Sequence, residues 1–132
     1  MPAFLNERAY LVVRALASHT PSTALESRDG PRRICRVRAS IEIPGHPPLH
    51  GRTLDVGLGG MGLLLPHALP GGLHCRVRFS LFIQAAIHHF DLPAQTVASV
   101  FLRDDVRLSL RFTQVPPASA KLLGDYVRFQ LS

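Results

Sequence analysis

Leu73-His74-Cys75-Arg76-Val77-Arg78-Phe79-Ser80-Leu81-Phe82-Ile83 is the stretch that decides the fold class. Leu73, Cys75, Val77, Phe79, Leu81 and Ile83 occupy every second position. Side chains alternate across a β-strand with period two, so one face of this segment is written for a core. The same pattern spreads outward in both directions. Upstream, Val37–Ile43 places Val37, Ala39, Ile41 and Ile43 on one face, residues 50–56 form a second strand, and Met61–Leu65 a third that Pro66 stops. Downstream, a short strand is expected near Ile87–Leu92 and another from Ala94 to Leu102. After a turn at Asp104-Asp105, the last strand, Val106–Thr113, puts Val106, Leu108, Leu110 and Phe112 on one side.

Turn chemistry punctuates these segments at Pro44–Pro48, Gly57–Gly60 and Pro70–Gly72, within a chain that holds 11 Pro and 10 Gly. Short strands at regular spacing point to a small closed barrel rather than an open sheet. Pro116-Pro117 ends the alternation, and Leu122, Leu123, Tyr126, Val127 and Leu131 then recur at helical spacing. The expected fold is mainly β: a six- or seven-stranded antiparallel β-barrel with a C-terminal helix. At the other end, Leu5, Ala9, Val12, Val13 and Leu16 share one helical face with Asn6 as a cap, which favours an N-terminal helix over a strand through Tyr10–Val13. The expected organisation is a helical extension over 1–18, a Ser/Thr/Pro/Gly-rich linker over 19–31, and the barrel with its helix over 32–132.

A length of 132 residues suits one domain with its own core. The formal charge is +6, from 15 basic and 9 acidic residues, and Lys121 is the only lysine. Arginine presents a planar fork that grips phosphate or a guanine edge with two parallel hydrogen bonds, so the charge suggests an anionic partner; a solvated basic surface explains it equally well. Cys35 and Cys75 form no CxxC pair and sit in apolar-alternating segments, which favours buried, reduced thiols. The start, MPAFLNERAY, has no basic n-region followed by an apolar run, and no stretch is long enough for a transmembrane helix; a cytoplasmic protein is expected.

Two short motifs carry the functional reading. Arg32-Arg33-Ile34-Cys35-Arg36 precedes the Val37 strand, and Asp55-Val56-Gly57-Leu58-Gly59-Gly60 stands between two strands. Together they resemble the signature of the PilZ family, RxxxR before the first strand and (D/N)xSxxG at a strand–turn–strand. Arg32 and Arg36 match the two arginines; Asp55 and Gly60 match the outer residues of the second motif. The likeness runs over residues 31–131. It implies a non-enzymatic receptor for the second messenger cyclic di-GMP, with Arg32, Arg33, Arg36, Asp55, Gly57, Gly59 and Gly60 as ligand-binding residues. It also implies signalling by docking on an unidentified protein partner in bacterial motility, biofilm formation, exopolysaccharide synthesis or secretion; no metal and no other cofactor are expected. The family's central Ser is Gly57 here. One lost hydrogen bond, worth about 0.5–1.5 kcal/mol, weakens binding roughly two- to tenfold.

The chemistry fits that ligand. Guanidinium groups can hold phosphates, span guanine O6 and N7, or stack on a base. A carboxylate accepts from the guanine N1–H and N2–H edge, which makes Asp55 the base reader, although Asp in a turn also caps backbone N–H groups. Glycines at 57, 59 and 60 allow close backbone approach. Binding is expected to order residues 19–36 over the nucleotide.

Other readings remain beside this one. The seven histidines offer no three convergent ligands by spacing, and no nucleophile motif or phosphate loop is present. Gly57 leaves room for a protein-interaction module that no longer binds nucleotide. A small basic barrel for nucleic acid is disfavoured by sparse aromatic platforms, 7 Phe and 2 Tyr with no Trp. A homodimer through the apolar face near Val12 stays open.

Overall fold

The structure, a computed structural model, describes residues 30–131 and their side chains as far as Arg128; the expected N-terminal helix and almost all of the expected linker lie outside the described residues. Seven strands precede one helix: β1 Arg32–Ile34, β2 Arg38–Glu42, β3 Leu49–Gly57, β4 Gly60–Leu65, β5 His74–Ile83, β6 Ala86–Phe101, β7 Val106–Phe112 and α1 Pro117–Leu131. All pairings are antiparallel, in the order β1-β3-β2-β5-β6-β7-β4. β3 also pairs with β4, which closes β2–β7 into a six-stranded barrel and leaves β1 as a seventh strand on β3.

The alternating faces meet inside. Ile41, Val56, Met61, Leu63, Val77 and Leu108 are fully buried. Each such side chain contributes about 1.5–3 kcal/mol relative to exposure. Phe79 stacks on Phe90 with centroids 4.9 Å apart. Pro117 opens α1, and the Pro116 carbonyl accepts from Ala120 N at 2.9 Å. Proline suits that first position because its missing N–H would be unpaired there anyway. Leu123, Tyr126 and Val127 then turn into the barrel and close one end of the core.

Two strand boundaries differ from the sequence-based expectation. The segments near Ile87–Leu92 and Ala94–Leu102 are one strand, β6, running through Pro93. The Pro93 carbonyl accepts from Thr113 N at 2.9 Å, so the missing N–H faces the β7 side beyond the last ladder residue, Phe112. Proline is tolerated where a strand lacks a partner on its N–H side. The second difference is β1. The arginine-rich segment does not merely precede the barrel; Arg32–Ile34 pairs with Asp55–Gly57.

Three buried hydroxyls hold places where the ladder is irregular. Thr53 Oγ1 donates to the Cys35 carbonyl at 2.7 Å and accepts from Val37 N at 2.9 Å, spanning the break between β1 and β2. Thr96 Oγ1 donates to the Pro70 carbonyl and accepts from Leu73 N, and Ser99 Oγ bonds both the N–H and the C=O of Leu69. Each replaces backbone partners that burial would otherwise leave unpaired. Cys35 and Cys75 are buried free thiols.

Candidate functional site

The register places the two motifs side by side. Arg32 lies opposite Gly57, Arg33 opposite Val56, and Ile34 opposite Asp55. Alternation then sends Arg32, Ile34 and Asp55 to the outer face, where Ile34 is 72% exposed. Arg32 Nη1 donates to Asp55 Oδ1 at 3.0 Å. Gly62 N donates to the same oxygen at 2.9 Å, and Arg107 Nη2 lies 3.5 Å from Oδ2. Asp55 is thus a half-buried hub between two guanidinium groups and one backbone amide. Its bond to Gly62 is the turn-bracing role foreseen for an Asp in this position, and the arginine contacts come in addition to it.

The glycines have distinct reasons. A Cβ on Gly60 would meet the Leu110 carbonyl oxygen at 2.2 Å, so glycine is required for β4 to approach β7. The Gly59 carbonyl accepts from Phe112 N at 2.9 Å and fastens the turn to β7. Gly57 is covered by β1: a Cβ there would lie 3.0 Å from both the Pro31 carbonyl oxygen and Arg32 Cγ. A Cβ on Gly62 would press within 3.1 Å of Asp55 Oδ1, so its absence gives the carboxylate its seat.

The other two motif arginines behave differently. Arg33 faces away from Asp55, across β1. Its Nη1 donates to the Tyr126 carbonyl at 3.0 Å, and its guanidinium sits 4.0 Å from the Tyr126 ring centroid. Arg33 therefore clamps α1. Burial raises the Tyr126 phenol above its usual range, and Arg33 opposes that shift. Arg36 is exposed, with no hydrogen bond or ion pair among the described residues. It follows Cys35, whose N–H bonds the Leu54 carbonyl at 3.1 Å, and so stands beside β3 near Thr53, two residues before Asp55. Sequence reasoning missed Arg107 on β7. The alternation of Val106–Thr113 marks it as outward-facing, but only the β3–β4–β7 pairing brings it to Asp55.

The arrangement can bind an anion with hydrogen-bond donors on its flat edge. Arg32, Arg36 and Arg107 supply positive charge, and Asp55 supplies acceptor oxygens. Among the described residues no group of three or more His, Cys, Asp or Glu side chains is placed to hold a metal ion. No helix among them is long and apolar enough to cross a membrane.

Comparison with curated protein sequences gives no match. Solved structures do match. MotI/DgrA, the inhibitor of motility of Bacillus subtilis, superposes with a TM-score of 0.68 at 14% identity, over 76% of this chain and 50% of its own. Escherichia coli YcgR, solved in complex with c-di-GMP, gives 0.60 at 28% identity, over 76% of this chain and 43% of its own. The chain spans about half the length of these two proteins, and 86% of the isolated YcgR PilZ domain, which it matches at 0.59 and 22% identity. The family model described as "PilZ domain" matches residues 26–129. With the barrel, its outer strand β1 and the joined motifs already in view, that match settles the family: this chain belongs to the PilZ domain family.

Proposed function

We propose that this protein is a cyclic di-GMP receptor whose site is built on Arg32, Arg36 and Asp55, with Arg107 as a fourth member. One observation carries the reading: Arg32 and Asp55, from the two halves of the motif, meet at 3.0 Å on the outer face of the barrel. The YcgR structure, 28% identical and bound to c-di-GMP, adds weight.

The free site is self-paired. Both carboxylate oxygens of Asp55 are engaged by arginines. A guanine edge offers N1–H and N2–H to the same oxygens, and its phosphates compete for the same guanidinium groups. Ligand therefore exchanges the Arg32–Asp55 pair for guanine–Asp55 and phosphate–Arg32 contacts. Arg36, exposed and without a bond among the described residues, closes from the side. Gly57, Gly59 and Gly60 shape the turn beneath the ligand, and Arg33 holds α1 instead of touching it.

The protein acts without catalysis, in the cytoplasm, as an adaptor whose ligand-bound form docks on a protein partner in motility or exopolysaccharide control. Titration calorimetry tests the site. Arg36→Ala and Asp55→Ala each weaken cyclic di-GMP about tenfold or more, the scale of one charge-assisted contact. Wild-type affinity in both variants would remove the site from this face.

A second reading, a docking module without nucleotide binding, draws on Gly57. β1 closes over it at 3.0 Å, where the family Ser would project. Wild-type protein that gives no heat with cyclic di-GMP, yet keeps a ligand-independent complex, would favour that reading.

A further inference from the structure

We propose that the outer face of β2, β3, β5 and β6 carries a second anion site, suited to a nucleoside di- or triphosphate. This inference does not rest on the cyclic di-GMP reading. Arg38 stands directly opposite Arg52 across the β2–β3 ladder. Like charges directly opposite each other destabilise the pairing. Neither arginine makes a hydrogen bond or ion pair among the described residues. Acids are at hand on the same face, but they serve other arginines: Arg76 and Arg78 pair with Asp91, and Arg78 also with Glu42. Among the described residues, two adjacent guanidinium groups thus stand uncompensated.

Their neighbours extend the row. The β2–β5 register puts Arg38 beside Ser80, and Ser80 pairs with His89 across β5–β6, with Oγ 2.6 Å from Nδ1. Arg52, Arg38, Ser80 and His89 therefore form one rung over four strands, roughly 14 Å wide at ~4.8 Å per strand. The rung lines an open groove of about 900 Å³. Ligand sites commonly span about 300–1,000 Å³.

The borders of the groove select the ligand. On one side lies the network of Glu42, Arg78, Asp91 and Arg76, whose arginines are already paired with carboxylates and offer a phosphate chain no uncompensated charge. Beyond the other end, outside the groove's own lining and two residues along β5 from Ser80, Phe82 faces Ile87 at the hairpin tip, 67% and 65% exposed. The positive stretch is short, and an exposed aromatic ring lies beyond it. That suits a compact molecule with phosphoryl groups at one end and a flat base at the other. It does not suit a nucleic-acid backbone, which needs an extended basic track. On the strand lattice, Phe82 and Arg52 are about 12 Å apart, close to the span from base to terminal phosphate in a nucleoside diphosphate. The phosphates rest on Arg38 and Arg52, Ser80 donates its hydroxyl, and the base covers Phe82.

The test is titration of the full chain with ADP, inorganic pyrophosphate and a short oligothymidylate, followed by backbone amide NMR. Saturable ADP shifts are expected at Arg38, Arg52, Ser80 and His89. The Arg38→Gln/Arg52→Gln double variant should weaken both ADP and pyrophosphate at least tenfold. Phe82→Ser should weaken ADP and leave pyrophosphate unchanged. Arg103→Gln removes an equal charge from an exposed turn and should leave all binding intact; unchanged spectra outside the groove verify each variant's fold. Any of four results overturns the proposal: no saturable shift on this rung, equal loss from Arg103→Gln, ADP shifts confined to the Asp55–Gly62 region, or tighter binding of oligothymidylate than of ADP.

Discussion

At the scale of residues, Asp55 and Arg36 separate stability from recognition. Asp55 serves Arg32, Arg107 and the Gly62 amide at once, so its loss leaves three donors without their acceptor. Asp55→Ala should lower unfolding stability by about 1–3 kcal/mol as well as weaken ligand binding, read by urea melts beside calorimetry. Arg36→Ala should weaken binding with stability within about 0.5 kcal/mol of wild type, because that side chain makes no hydrogen bond or ion pair among the described residues. Gly57 makes a different test. From the sequence alone, Ser at this position restores a ligand hydroxyl. In the structure its Cβ would press on the Pro31 carbonyl and Arg32 Cγ, both at 3.0 Å. Gly57→Ser should therefore cost about 1 kcal/mol and loosen β1, seen as faster amide exchange at Arg32–Ile34. Unchanged exchange there would mean that β1 yields without strain.

At the scale of elements, the turn between β5 and β6 is the most strained point among the described residues. Gln84 and Ala85 both adopt left-handed conformations, with φ of 51° and 66°. A two-residue hairpin of this kind prefers Asn-Gly, since L side chains cost about 1–2 kcal/mol there. Ala85→Gly should raise stability by roughly 0.5–1 kcal/mol, measurable as a higher melting temperature, with cyclic di-GMP affinity unchanged. The long alternating strands were legible because each shows one clean apolar face; β5 alternates buried and outward positions along its length, as its sequence predicts. β1 was not legible. It is three residues long, and its polar side chains read as a motif rather than a strand. The join through Pro93 was hidden too, since a proline signals a break unless its unpartnered side is known. Arg32 and Asp55 were legible as a pair by type and spacing. Arg33 as a clamp on α1 and Arg107 as a partner of Asp55 were not, because both depend on which strands meet.

At the scale of the whole molecule, β1 joins the Asp55 face to the helix. Arg32 faces Asp55 and its neighbour Arg33 holds Tyr126 on the opposite side. The shared core also sets an alkaline limit. Burial raises the Cys75 thiol from 9.0 to about 11, so the folded state keeps a proton that the unfolded chain releases earlier. The associated stability is complete below pH 9 and declines as pH rises toward 11. Cys75→Ala should flatten that decline in melts taken from pH 8 to 11. The most direct test of the ligand site is amide NMR of the full chain with cyclic di-GMP. The expected result is saturable shifts at Arg32, Asp55, Gly57 and Gly62, whose amide bonds Asp55, with GTP and cyclic GMP leaving those four amides unmoved. Saturation that moves other regions and leaves the Gly62 amide unmoved would contradict a nucleotide site at Asp55.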